Sequence, residues 1–297
     1  MRRPAETLEP ADHAELAARA WRSLLAASAA AGQGAGEAEW LVRRGDEHAA
    51  AGDAPEAVRP LLELYAPLCG TRAGRPLTIA HLGQSLDGYI ATASGDSYYV
   101  TGPENVRHLH RLRALCSAIV VGAGTIERDD PQLTVRHVPG PNPVRVVLDP
   151  SARLGASRRV FTDGAAPTLV VHAAGLGAPA PGNAEIVSVP LEGGGLKLDV
   201  LLERLRERGL ASVFVEGGGS TVSRFLEAGL LDRLHVAIAP LVLGTGRPGL
   251  TLPARERIAE CLRPAHRVFT MGGDVLFDCD LRAAPTAPAS DRLTRAI

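Results

Sequence analysis

Residues Ser212-Val213-Phe214-Val215-Glu216-Gly217-Gly218-Gly219-Ser220-Thr221-Val222-Ser223-Arg224-Phe225-Leu226 carry three signals in one run. Positions 212–215 form a short apolar, β-branched segment that predicts a buried strand. Glu216 and three glycines follow, a backbone that turns sharply and lets a ligand come close. Val222, Phe225 and Leu226 then recur at helical spacing, with Ser220 or Thr221 as the candidate cap. Strand, glycine turn and helix N-terminus make a cradle for an anion, because unbonded N–H groups and the helix dipole both favour negative charge. A triple glycine serves a tight strand-to-helix turn equally well, so the rest of the chain must decide.

The 297 residues are 45% hydrophobic and 22% charged, an ordinary globular composition with length for one or two domains. A net charge of −1 gives no general attraction to nucleic acid or to an anionic membrane. No apolar run nears the roughly 20 residues that span a bilayer. Arg2 and Arg3 lack the apolar core of a secretory signal behind them, so a cytoplasmic location is expected. Cys69, Cys116, Cys261 and Cys279 are scattered without a C-x-x-C pair, which suits reduced thiols and argues against a structural zinc. No metal is expected.

Residues 1–75 read as a helical appendage. A helix over 16–31 carries Trp21, Leu24 and Leu25 on one face and is interrupted by Gly32, Gly34 and Gly36. Trp40, Leu41 and Val42 begin a short apolar piece, and a helix over 53–65 starts or kinks at Pro60. Residues 71–76 read as a linker. The segment has no H-x-E with a later P-C-x-x-C, so it holds no zinc deaminase signature. From residue 77 strands and helices alternate. Strands are predicted at 77–82, 118–121, 144–148, 168–172, 185–189, 212–215 and 234–243, and helices at 103–115 and 198–208. Segments 267–271 and 275–280 flank Gly272-Gly273 as a hairpin. The pattern predicts an α/β domain over 76–282 with three layers: a mostly parallel central sheet, helices on both faces and an antiparallel C-terminal edge. Residues 283–297 read as a loose tail.

In open α/β sheets, ligands lie beyond the carboxyl ends of strands. Those ends carry the turns 83–88, 122–125 and 216–219, which together suggest one cleft. The polar segment 125–136 follows the second. Asp129 and Asp130 before Pro131 suit a turn or chemistry. Arg113 and Arg136 suit either a solvated surface or, with Ser97 and Thr101, a phosphate clamp of forked N–H donors.

These motifs resemble a known family. Ser85-Leu86-Asp87-Gly88, Ala91-Thr92-Ala93-Ser94-Gly95-Asp96-Ser97, Val100-Thr101-Gly102, Leu112-Arg113-Ala114, Val121-Gly122-Ala123-Gly124-Thr125, Asp129-Asp130-Pro131-Gln132-Leu133-Thr134-Val135-Arg136 and Val215-Glu216-Gly217-Gly218 look like the reductase domain of riboflavin biosynthesis, in order and at its spacing over residues 77–280. The resemblance implies a dihydrofolate-reductase-like fold, a homodimer, and NADPH-dependent reduction of 5-amino-6-(5-phosphoribosylamino)uracil to its ribitylamino form. Hydride then goes to the ring-opened ribose C1. It implies that the cofactor pyrophosphate rests on Gly217, Gly218, Gly219, Ser220 and Thr221, and that Gly83, Tyr99, Thr101, Gly122, Thr125 and Asp129 serve the rest of the cofactor. The segment 149–153, with Ser151, is a candidate reader of the adenosine 2′-phosphate; Arg158 and Arg159 compete for that role. Asp87, Ser97, Arg113, Leu133, Arg136 and Glu216 are implied to bind substrate, and Glu216, Asp129 and His81 are the catalytic candidates.

Two positions depart from the family pattern. His81 stands where the family often has lysine, and Tyr98-Tyr99 where it usually has tryptophan. His81 titrates near neutrality in its ordinary state, so it is a candidate proton donor, a partner of a pyrimidine carbonyl, or a packed structural residue. The departures leave open a related aminopyrimidine, or another imine or carbonyl, as substrate. A non-catalytic nucleotide-binding module is the alternative from another class. The partner implied is a small phosphorylated aminopyrimidine, with any deamination supplied by a separate chain.

Overall fold

The computed structural model describes residues 10–30, 38–70, 74–98 and 100–283. The glycine interruption at 32–36, part of the 71–76 linker, Tyr99 and the tail beyond 283 lie outside the described residues. The chain divides into two compact units, Met1–Arg72 and Ala73–Ile297.

The first unit contains α1 (Pro10–Ala29), β1 (Leu41–Arg44), β2 (Glu47–Ala50) and α2 (Arg59–Tyr65). Leu24, Leu62 and Tyr65 are fully buried, and Trp21 meets Tyr65 edge-on with ring centroids 6.0 Å apart. Pro60 sits in the first turn of α2, where its missing N–H costs nothing. The expected helical appendage is present in α1 and α2, and its short apolar piece at Trp40–Val42 leads into a hairpin in which β1 and β2 pair antiparallel from Leu41↔Ala50 to Arg44↔Glu47. The turn between them is Gly45-Asp46, a two-residue hairpin signal that lies in plain view in the sequence.

The second unit holds β3 (Leu77–Ser85), β4 (Tyr89–Thr92), α3 (Pro103–Leu115), β5 (Ala118–Gly122), α4 (Ala123–Asp129), β6 (Val144–Leu148), α5 (Arg159–Thr162), β7 (Thr168–Ala173), β8 (Glu185–Val189), β9 (Leu191–Glu192), β10 (Gly195–Leu196), α6 (Leu198–Glu207), β11 (Ser212–Glu216), α7 (Gly219–Glu227), β12 (Arg233–Ala239), β13 (Gly246–Pro248), β14 (Ala265–Met271) and β15 (Asp274–Asp280). Nine strands form one sheet in the order β14-β15-β12-β3-β11-β5-β6-β7-β8. From β12 to β8 all neighbours are parallel, while β15 and β14 add the antiparallel edge. This is the dihydrofolate-reductase-like α/β architecture that the motifs implied.

Strand alternation divides the sheet's two faces. Ala80, Leu82, Val213 and Val215 share a core with Leu201, Leu202 and Leu205 of α6 and with Val222 and Phe225 of α7. His81, Glu216 and His235 lie in register on the other face, where α3 packs and bonds to each of them through Asn105, Arg113 and His108. The α3 face therefore carries a polar seam where an apolar core is usual.

Three local expectations change. The turn expected at 122–125 is instead the start of a helix, Ala123–Asp129, so Thr125 and Asp129 are held on α4. The cap of α7 is Gly218, with no side-chain cap, in place of Ser220 or Thr221. The short pair β4–β13 was not foreseen, because neither segment carries a period long enough to read.

Candidate active site

Strand β11 lies between β3 and β5, and its carboxyl end leads through Gly217-Gly218 into α7. Small residues are required here by close approach. A Cβ on Gly122 would stand 2.8 Å from Thr221 Oγ1, and one on Gly217 3.2 Å from Thr221 Cβ, so these two strand ends leave room for one threonine between them. A Cβ on Gly219 would collide with the carbonyls of Pro248 and Gly249, which run directly against the first turn of α7.

Two cavities meet on this cradle. The first, about 380 Å³, is walled by Thr125, Arg128, Arg153, Gly218, Thr221 and Arg224. Pro150 and Ser220 also line it, whereas Ser151, their exposed neighbour, does not. The second, about 210 Å³, is walled by Ser97, Asp129, Glu216, Gly217 and Arg247. Thr125, Arg128 and Gly218 line both, so the turns after β5 and β11 form one continuous cleft.

Glu216 is held by Arg113. Nε donates to one carboxylate oxygen at 2.7 Å and Nη2 to the other at 2.5 Å, while Nη1 donates to the Thr134 carbonyl at 2.9 Å. Burial alone would lower the Arg113 pKa, but the Glu216 charge and hydrogen bonds outweigh it and raise it. All three guanidinium nitrogens of Arg113 are thus engaged within the protein. Arg136 lies in the same field: burial first, then the charges of Arg113 and Arg159, lower its pKa, and Glu216 opposes them. Its Nη1 donates to Thr134 Oγ1 at 2.8 Å, and its backbone amide donates to His110 Nδ1 at 3.0 Å. Between them Leu133 is buried with φ +58°, a left-handed conformation that a bulky residue adopts only when its surroundings impose it.

Other expected site residues lie elsewhere. His81 lines neither cavity; it is 4% exposed, its Nε2 lies 2.9 Å from Asn105 Oδ1, and burial, then the His235 charge, push its pKa down to about 3. Asp87 is a staple: it accepts from Ser85 Oγ at 2.6 Å and from the amides of Leu243 and Gly244 at 3.1 and 2.7 Å. Gly83 faces Thr101, whose Cγ2 lies 2.8 Å from where a Cβ would be, and Asn105 Nδ2 donates to Thr101 Oγ1 at 2.8 Å. Sequence reasoning did not single out Arg128 or Arg247. Both sit beside glycines, Arg128 on Gly124 and Gly218 and Arg247 on Gly95. The run Gly244-Thr245-Gly246-Arg247-Pro248-Gly249 was the available signal for the second.

The cleft fits a nicotinamide dinucleotide. The nine-residue helix α7 starts on glycines with no side-chain cap, which leaves its first amides directed to the cavity rim, and three guanidinium groups surround that rim.

The family model described as the RibD C-terminal domain matches residues 76–263. The chain belongs to this family. Among RibD-type relatives, it is 40% identical over 219 residues to the 2,5-diamino-6-ribosylamino-4(3H)-pyrimidinone 5′-phosphate reductase of Methanothermobacter thermautotrophicus, covering 69% of this chain and 97% of that protein. It is 37% identical to the riboflavin biosynthesis protein RibD of Aquifex aeolicus, covering 58% of this chain but only 48% of the relative. A solved Thermotoga maritima structure, a diaminohydroxyphosphoribosylaminopyrimidine deaminase/5-amino-6-(5-phosphoribosylamino)uracil reductase, superposes with a TM-score of 0.60 at 30% identity, covering 69% of this chain and 56% of that one. The chain therefore spans about half the length of these last two proteins.

Proposed function

We propose that the chain is an NADPH-dependent reductase of a phosphoribosylaminopyrimidine, 5-amino-6-(5-phosphoribosylamino)uracil in the first instance. The observation that carries this reading is the junction of the two cavities at Thr125, Arg128 and Gly218, with an uncapped helix start on one side and Glu216, Asp129 and Ser97 on the other. A nicotinamide dinucleotide held there by the first turn of α7 and Arg128 would supply the hydride that turns the C=N bond at C1 of the ring-opened sugar into an amine.

The protein's contribution is alignment and exclusion of water. The first amides of α7 hold the pyrophosphate, with Arg128 across it. Arg153 and Arg224 hold the adenosine end. Glu216, fixed by the Nε–Nη2 edge of Arg113, presents a stationary acceptor to the pyrimidine. Asp129 lines the substrate cavity from an exposed position and passes the proton that the new amine needs. Ser97 lines the phosphate end, and Arg136 adds its charge to the field around Glu216. His81 acts as a structural residue under α3.

The archaeal relative, which the alignment covers almost end to end, supports a second substrate: the diaminopyrimidinone that still carries its amino group. Growth of a riboflavin auxotroph that lacks its reductase tests the first reading. Rescue by this gene supports it; no rescue, with turnover of the diaminopyrimidinone in vitro, moves the assignment to the second.

A further inference from the structure

The cavity that Glu216 lines also presents a guanidinium, Arg247, that forms no ion pair among the described residues. Arg113, the buried candidate for gripping an anion, has spent Nε and Nη2 on Glu216 and Nη1 on Thr134. Arg136 is tied to Thr134 Oγ1. Arg128 lies over Gly124 and Gly218, on the wall shared with the helix start of α7. Arg247 differs from all three. It lines the Glu216 cavity and does not line the other one. Among the described residues no hydrogen bond or ion pair engages it.

The backbone fixes this position. In β13, Arg247 pairs with Ala91 of β4. Gly246, just before it, packs so closely that a Cβ would collide with the Ala91 carbonyl, and a Cβ on Gly249, just after Pro248, would stand 2.5 Å from Gln84 Oε1. On the far side the carbonyls of Pro248 and Gly249 press on Gly219. The segment is therefore wedged between β4 and α7. Its guanidinium lies against Gly95, where a Cβ would stand 2.6 Å from Nη2, and Gly95 has φ +98°. A side chain at position 95 would displace the guanidinium. Gly95 and Ser97 belong to one loop, so Arg247 and the Ser97 hydroxyl line the same rim. A planar, permanently charged fork and a hydroxyl that line one cavity supply the donors that recognise a phosphate monoester.

We infer that Arg247 binds the phosphate group of the sugar-phosphate substrate and selects phosphorylated over unphosphorylated sugars. The inference rests on the reductase reading for the identity of the site, and it assigns the anion-reading role to a residue on the β13 segment. A phosphate in this cleft has two sources, the substrate and the cofactor. Arg247 stands on the Ser97–Glu216 side, away from the cavity of Arg153 and Arg224, which assigns it to the substrate.

Calorimetric titration of ribose 5-phosphate, with ribose as control, into the wild-type protein, R247A and R247K tests it, with NADPH titrated in parallel. The expected result is binding of ribose 5-phosphate but not ribose by the wild type, a loss of about tenfold or more in R247A, an intermediate value in R247K, and unchanged NADPH affinity in all three. Equal affinity of wild type and R247A for ribose 5-phosphate overturns the inference, as does no binding by the wild type. A fall in NADPH affinity with ribose 5-phosphate spared also overturns it and gives Arg247 to the cofactor. Failure of the wild type to bind NADPH would instead sink the reductase reading, while the ribose 5-phosphate arm still decides Arg247. Matching thermal midpoints for the variants keep the comparison free of folding effects.

Discussion

Arg113 and Glu216, 103 residues apart in the chain, form a two-pronged ion pair at 2.7 and 2.5 Å, and Glu216 lines the smaller cavity. Their side chains are 8% and 19% exposed, so solvent screens them little. Taking away one partner of such a pair leaves a buried charge unmatched, which costs about 3–5 kcal/mol. Glu216→Gln keeps the shape and loses the charge. It is expected to lower stability by about 2–4 kcal/mol in urea denaturation. It is also expected to reduce kcat/KM with little change in NADPH affinity. Unchanged stability would show that the pair is not formed in solution.

The α7 cradle depends on the absence of a side chain at Gly219. Gly219→Ala puts a methyl group into the carbonyls of Pro248 and Gly249, so the helix start and β13 must move apart. The expected cost is about 1–3 kcal/mol of stability. A rise in the Kd for NADPH of about tenfold is expected with it, read by nucleotide fluorescence. An alanine variant that binds NADPH normally would remove the helix start from the cofactor site.

NADPH is expected to bind more tightly than NADH. Arg153, on the rim of the first cavity and paired to Glu127 at 2.8 Å, is the cation expected to set the difference. A charge-assisted hydrogen bond to a phosphate contributes roughly 1.5–3 kcal/mol. Arg153→Ala should therefore weaken NADPH by about tenfold or more and leave NADH nearly unchanged. Equal weakening of both would assign Arg153 to the shared part of the dinucleotide.

The polar seam under α3 gives the fold a pH dependence. His81 bonds Asn105, His108 Nε2 lies 3.0 Å from His235 Nδ1, and His235 Nε2 lies 3.2 Å from Asp278. Burial is the largest cause that lowers the pKa of all three histidines, His81 to about 3. For Asp278, burial pushes the pKa up, but bonding and charge from His235, then Arg233 and Arg267, outweigh it and hold the carboxyl low. Each histidine titrates lower when folded than when unfolded, so the unfolded chain takes up the extra protons. The stability is fully present above the unfolded value of about 6.5 and is lost as pH falls from there toward 3. Tm is expected to fall between pH 7 and pH 5. In His81→Gln, which keeps an amide donor for Asn105 and binds no proton, that fall should be smaller. An equal fall in both proteins would exclude His81 from the seam's titration.

The sheet was legible where one segment carried the whole signal. Runs such as 144–148 and 185–189 are apolar enough to be strands by themselves, and both have those bounds in the structure. The C-terminal hairpin was legible from Gly272, which indeed turns with φ +64°. The site was less legible, because its contacts are made at long range. Nothing local to Arg113 says that Glu216 will consume its guanidinium, and nothing local to His81 says that Asn105 will take its Nε2. Arg247 was hidden for a related reason: β13 has three residues and exists only through its pairing with β4. The β1–β2 hairpin is a different case, since Gly45-Asp46 was a readable turn behind the short apolar piece that starts at Trp40.

The central claim is that one cleft aligns a nicotinamide with C1 of a phosphoribosylamino sugar. Transfer of deuterium from NADPH labelled at the nicotinamide C4 tests it most directly, with the product analysed by mass spectrometry after reaction with each pyrimidine. The expected result is a ribitylamino product that carries the label at C1 of its sugar chain. Product without label, label elsewhere in the molecule, or no oxidation of the cofactor with either pyrimidine would contradict it.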